Sequence, residues 1–126
     1  MALEIFCRGT HRLVLFTPDA ITTLEEAAEQ VPPQKRVACK AQLFRILQRL
    51  ANGEQLRNKA RFRYEGHGIY AAKARCGLRG YGWFQALPVG ESAFIVSHHI
   101  VKKKQKANPK DVVRAVAARN NVESRT

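Results

Sequence analysis

Acidic residues are scarce in this sequence: ten Asp and Glu stand against 22 Lys and Arg in 126 residues. They are also far apart, and no nucleophile-elbow motif accompanies Ser97, so a Ser/His/Asp hydrolase finds no support. Cysteine is equally sparse. The three present (Cys7, Cys39, Cys76) are odd in number, widely spaced and form no CxxC pair. That argues against a disulfide framework and against structural zinc, and points to a reducing, cytoplasmic setting. The four histidines show no paired ligand spacing, so neither a metal nor another cofactor is expected. No apolar run approaches the roughly 18 residues that span a bilayer, which removes a membrane from the expected partners. Arg8, His11 and Arg12 interrupt the first apolar stretch, so no signal peptide is expected. Linkers, low-complexity tracts and repeats are missing too, and residues 1–126 read as one domain.

What is present is a foldable composition and a strong positive charge. Apolar residues make up 45% and charged residues 25%, ordinary for a packed domain. The net charge of +12 is uneven. Residues 1–33 hold two bases against five acids, a net of −3, and residues 34–126 hold twenty against five, a net of +15. Such a chain concentrates anions and repels itself, which implies a polyanion or an acidic protein as partner.

The hydrophobic pattern divides the chain. Leu3–Phe6 and Leu13–Phe16 suggest one or two strands about a turn at Gly9–Thr10. Thr22 or Thr23, three residues before Glu25 or Glu26, has the spacing of a capping box, and Pro32–Pro33 stops the helix it would open. Val37, Ala41, Phe44, Leu47 and Ala51 mark a second helix, closed by Asn52–Gly53. From Arg57 the period becomes two, with strands expected at Ile69–Arg75, Tyr81–Leu87 and Ala93–Val101. Their tight spacing leaves no room for crossover helices, so an antiparallel meander follows. Asn108–Pro109 opens a last helix, ended by Asn120–Asn121. The expected fold is therefore a small α+β domain in the order β-α-α-β-β-β-α, an antiparallel sheet with two N-terminal helices and one C-terminal helix.

The chemistry gathers in the basic half. Arg57, Lys59, Arg61 and Arg63 fall at alternate positions and share one side of an extended chain; Lys73 and Arg75 share a strand face. With Arg79, and with Tyr64, Tyr81 and Trp83 nearby to stack bases, they describe an RNA-binding surface. Lys102, Lys103, Lys104 and Lys106 add a second basic run after the last strand. His98 shares parity with Phe94 and Val96 and reads as a core histidine bonded to backbone. His99, on the other face, is the candidate for proton transfer. His67 sits in a Gly66-His67-Gly68 turn; the match of Gly66–Ala71 to a dinucleotide fingerprint precedes a strand and carries nothing.

Two stretches resemble a family. Leu56–Lys59 with Gly68-Ile69-Tyr70-Ala71-Ala72-Lys73-Ala74-Arg75 looks like the loop and the glycine–aromatic strand ending in arginine of the RelE/ParE superfamily of toxins. Phe94–Val101 running into Lys102-Lys103-Lys104-Gln105-Lys106 and Pro109 is similar to its HigB-like, phage-derived branch. The resemblance covers residues 35–118. It implies a RelE-like fold and the toxin of a type II toxin–antitoxin system. Such a toxin is a ribosome-associated mRNA endoribonuclease that needs no metal, since the RNA 2′-OH attacks the adjacent phosphate and cationic side chains stabilise the developing charge. Lys73, Arg75 and Arg79 then correspond to the catalytic basic positions, with His99 as proton-transfer group, and Lys102 and Lys103 to the lysine pair. The implied partners are mRNA, the ribosome and a cognate antitoxin, acidic or of helix-turn-helix type. Ala71–Ala72 and a last helix without tyrosine favour a second reading, a non-catalytic RNA-, ribosome- or regulator-binding module on the same fold. A gyrase-poisoning ParE-like toxin is a third.

Overall fold

A computed structural model describes residues 2–88, 90–102 and 108–123. Two strands come first, Glu4–Arg8 (β1) and Arg12–Phe16 (β2), paired antiparallel through the turn at Gly9–Thr10. Gly9 is required by a close approach: a Cβ there would run into the Ala51 carbonyl, where the hairpin rests on the end of the second helix.

Helix α1 spans Pro18–Glu29. It starts earlier than the capping-box spacing predicts, because Thr17 Oγ1 accepts from Ala20 N–H at 3.0 Å and Pro18 presets the first turn. Thr22 and Thr23 lie inside it, donating to the Pro18 and Asp19 carbonyls. The chain stops before Pro32, passes through a 3₁₀ turn at Pro33–Lys35 and re-enters helix as α2, Arg36–Ala51. The buried stripe of α2 is Cys39, Leu43, Ile46, Leu47 and Leu50. Val37, expected on that stripe, is 83% exposed.

Strands β3 (Phe62–Gly66), β4 (Ile69–Lys73), β5 (Leu78–Ala86) and β6 (Ser92–Val101) follow, and α3 (Pro109–Glu123) ends the described chain. Asn108 Oδ1 caps α3 at Lys110 N–H, 3.0 Å, and the helix continues through Asn120–Asn121 instead of ending there. The sheet order is β1-β2-β6-β5-β4-β3. All neighbours are antiparallel except β2 and β6, which run parallel from Arg12↔Ser92 to Phe16↔Val96.

The α+β domain is therefore observed, and the expected order and wholly antiparallel sheet are corrected. Strands come first, there are six of them, and the sheet is mixed. The two strands beyond the expected order, β1, which the sequence leaves open as the first of one or two, and β3, form its edges. Helices α1 and α2 cover one face over Phe16, Leu43, Leu47 and Phe94; α3 covers the other over Tyr81, Trp83, Ile95 and Ala115. Inner strands are thus buried on both sides, which is why Ala71 and Ala72 are both fully buried, where a polar side chain would lose its water.

Cysteine pairing is a second correction. Cys39 of α2 and Cys76, in the β4–β5 turn, form a disulfide with Cα atoms 6.0 Å apart. The pair removes the argument for a reducing compartment that cysteine spacing offered. Cys7 is free. Among the described residues no helix is long and apolar enough to cross a membrane.

Candidate functional site

The β4–β5 turn organises the site. After Lys73 the chain folds back with Gly77 N–H donating to the Ala74 carbonyl at 3.0 Å and Ala74 N–H to Leu78 at 2.9 Å. Gly77 has φ +97°, and a Cβ on it would lie 2.7 Å from the Lys102 carbonyl oxygen, so only glycine lets β6 end beside this turn. Lys102 N–H then donates to Gly77 O at 2.8 Å. On the helical side, Arg75 N–H donates to Gln42 Oε1 of α2 at 2.7 Å, and the disulfide ties the same two segments.

These ties form a cleft of about 530 Å³ between the α1–α2 junction and the sheet end. Among the described residues six basic ones border it, Lys35, Arg61, Lys73, Arg75, Arg79 and Lys102, and no acidic one does; Lys73 and Arg79 share the sheet face of Ala71 and Tyr81, under α3. Arg61 is held there by its Nη1, which donates to Lys73 O at 3.2 Å, while Lys73 N–H donates to Arg61 O at 2.7 Å. Lys73 and Arg79 are cross-strand partners, 2% and 3% exposed. Lys73 Nζ lies 3.3 Å from Glu65 Oε1. Burial holds the Lys73 ammonium below the usual lysine range; Glu65 opposes that shift, while Arg79 and Arg63 add to it. Exposed Arg75 and Lys35 can grip a phosphate, with the buried Lys73 and Arg79 adding positive field behind them.

The sequence-derived site is brought together in part. Lys73, Arg75, Arg79, Arg61 and Lys102 meet in the cleft. Arg57, Lys59 and Arg63 do not join them in a row. Asn58 breaks the extended alternation, its Oδ1 accepting from Ala60 N–H at 2.9 Å and its carbonyl from Arg61 N–H at 2.9 Å. Only Arg63 of the four lies on a strand. Tyr81 and Trp83 are 0% and 1% exposed and stack no base; Tyr64, on the edge strand, is 54% exposed. Lys103, Lys104 and Lys106 lie outside the described residues. Lys35 was missed as a site residue. Its signal was position, directly after Pro32–Pro33 and at the start of the basic excess.

His99 is not at the cleft. Pairing passes from Gly82↔Val96 to Tyr81↔His98, leaving Ser97 as an extra residue that reverses the strand's parity. His99 consequently faces α1, with its Nδ1–H donating to Ala20 O at 2.8 Å and its ring 5.1 Å from Phe16. It is 2% exposed, and burial lowers its pKa to about 4. His98 faces α3 instead, between Ser97 Oγ at 2.9 Å and Asp111 Oδ1 at 3.2 Å, so it is buried as expected but bonded to side chains. The Ser97-His98-Asp111 chain has the composition of a hydrolytic triad. With Ser97 1% and His98 0% exposed, no substrate reaches it. Among the described residues no group of three His, Cys, Asp or Glu could hold a metal. Compared with known proteins, the chain matches no family model, no curated protein and no solved structure.

Proposed function

We propose that this chain is a HigB-like toxin of the RelE/ParE kind, an endoribonuclease that cuts mRNA on the ribosome in the cytoplasm without a metal ion. The observation that carries the reading is the cleft bordered, among the described residues, by six basic ones and no acidic one. The inner elements support it: without the edge strands, the order reads β2-α1-α2-β4-β5-β6-α3. In the proposed reaction a ribose 2′-OH at the cleft mouth gives its proton to solvent water. The 2′ oxygen bonds to phosphorus while the P–O5′ bond breaks, and the Lys102 ammonium protonates the departing oxygen. Arg75 and Lys35 hold the non-bridging oxygens as charge develops on them, and the buried Lys73 and Arg79 add positive field behind them. A cognate antitoxin with an acidic segment would silence the protein by filling the same cleft.

A second reading, a non-catalytic RNA-binding module, is favoured by one observation: no histidine lines the cleft, and His99 is sealed against α1. Mapping 5′ ends on an mRNA in a translating extract separates the two. New ends made by the native chain and lost in the Lys35→Ala/Arg75→Ala variant establish cleavage. Bound RNA without new ends leaves the module.

A further inference from the structure

The disulfide that ties α2 to the β4–β5 turn also borders the cleft. Cys76 lines the cationic cleft, and a second cavity of about 340 Å³, lined by Lys35, Cys39, Gln42, Arg75 and Cys76, opens on the same bond. Cys76 is half-buried and Cys39 4% exposed, so an attacking group reaches Cys76 first. Cys39 is the fourth residue of α2, near the helix N-terminus, and Lys35 and Arg75 line the same cavity; all three favour a thiolate leaving on Cys39.

We propose that Cys39–Cys76 is a thiol-exchange site for small anionic thiols, and that its oxidation state sets how tightly the cleft holds phosphate. An incoming thiolate bonds to Cys76 Sγ, and the Cys39–Cys76 bond breaks with its electron pair leaving on Cys39. A second thiolate attacks the incoming sulfur of that mixed disulfide and releases Cys76 as a thiolate. Two small thiols are oxidised to one disulfide as the protein's bond is reduced. The lysine and arginine that grip phosphate also draw in the carboxylates of the thiol, which gives the exchange its preference for anions. The bond joins the wall carrying Lys35 to the turn carrying Arg75. Once it opens, the turn is tied to α2 there by the exposed Arg75–Gln42 hydrogen bond without the covalent link, so the fold persists while Lys35 and Arg75 are held less firmly relative to one another. The proposal needs the cleft to bind phosphate and does not need it to cut RNA.

The test uses the full chain with Cys7→Ser as background and inorganic pyrophosphate as probe. Peptide mapping of the air-oxidised protein is expected to show the Cys39–Cys76 cross-link. Reduction with dithiothreitol is expected to weaken pyrophosphate binding about fivefold or more. A Cys39→Ser/Cys76→Ser variant should match the reduced protein and ignore dithiothreitol; should that variant fail to fold, the reversible reduction of the parent chain carries the comparison. Glutathione should open the bond faster at low salt than cysteamine at equal thiolate concentration, with the mixed disulfide on Cys76, and Lys35→Ala/Arg75→Ala should erase the difference. Equal pyrophosphate affinity in both states, no binding in either, or no preference between the two thiols overturns the proposal. Loss of RNA cleavage leaves it standing.

Discussion

His98 and His99, neighbours in β6, face opposite layers: His98 meets Asp111 of α3 at 3.2 Å, and His99 donates to the Ala20 carbonyl of α1 at 2.8 Å. Each helix layer is therefore pinned to the sheet by one histidine. Both are buried, and burial lowers the pKa of both.

Stability should consequently fall with acid. The unfolded chain takes a proton on His99 near the ordinary value of 6.5, which the folded chain declines until about 4. The contribution is fully present above pH 6.5 and is lost as pH falls across that interval, by about 3 kcal/mol for His99. His98 acts in the same direction. Urea midpoints at pH 7.5, 5.5 and 4.5 should drop in that order, and His99→Gln should flatten the trend. A pH-independent midpoint would contradict the assignment.

Arg75 and Lys73 should behave differently when truncated. Arg75 is exposed, so Arg75→Ala should leave the melting temperature unchanged within about 2 °C while weakening RNA binding. It should also reduce the slope of log affinity against log salt by about 0.7, the effect of one lost phosphate contact on a single strand. Lys73→Ala should lower the melting temperature as well, because it strips the cation from a carboxylate whose side chain is 7% exposed. Salt titrations with a labelled RNA, beside thermal melts, decide the matter.

The Lys73–Glu65 pair lends itself to a double-mutant cycle. Breaking it from either side, as Lys73→Met or Glu65→Leu, should cost about 3–5 kcal/mol for Lys73→Met and less for Glu65→Leu, since a buried lysine can shed its proton. The double variant should regain most of that loss while still failing to bind RNA. Additive losses in urea denaturation would show that the two side chains are not coupled.

Gly9→Ala should destabilise by about 2 kcal/mol or more, since the added Cβ meets the backbone of Ala51 and Asn52, which cannot swing aside as a flexible side chain would. Hydrogen exchange should show the loss first in the β1–β2 hairpin and at the C-terminal end of α2.

Much of the architecture was legible because it is local. Alternation located β4, β5 and β6, and Asn108–Pro109 marked the start of α3. What escaped depends on single residues or on distance. One extra residue at Ser97 reverses the faces of His98 and His99, and period-two counting cannot see an insertion. One Asn58 turn dissolves the row of bases from Arg57 to Arg63. Lys73, Arg75 and Arg79 were recognisable as a site because a tight turn keeps them together, whereas Lys35 and Lys102 arrive from other parts of the chain. Cys39 and Cys76, 37 residues apart, meet only after α2 has packed on the sheet, and nothing in their spacing announces it.

The parallel pairing of β2 with β6 bears on how the molecule is made. Thr17 Oγ1 reaches the Ser97 carbonyl across 80 residues of sequence, so the strand that sits beside β2 is made after the five other described strands. Until it emerges, β2 has β1 alone as its sheet neighbour and α1 lacks the strand it packs on, so apolar residues such as Leu24 lack part of their cover. Contacts this distant in sequence make for slow folding, governed by loop closure more than by helix formation. A nascent chain that lacks β6 therefore carries no finished cleft, because Lys102 and the partner of β2 arrive only with that strand.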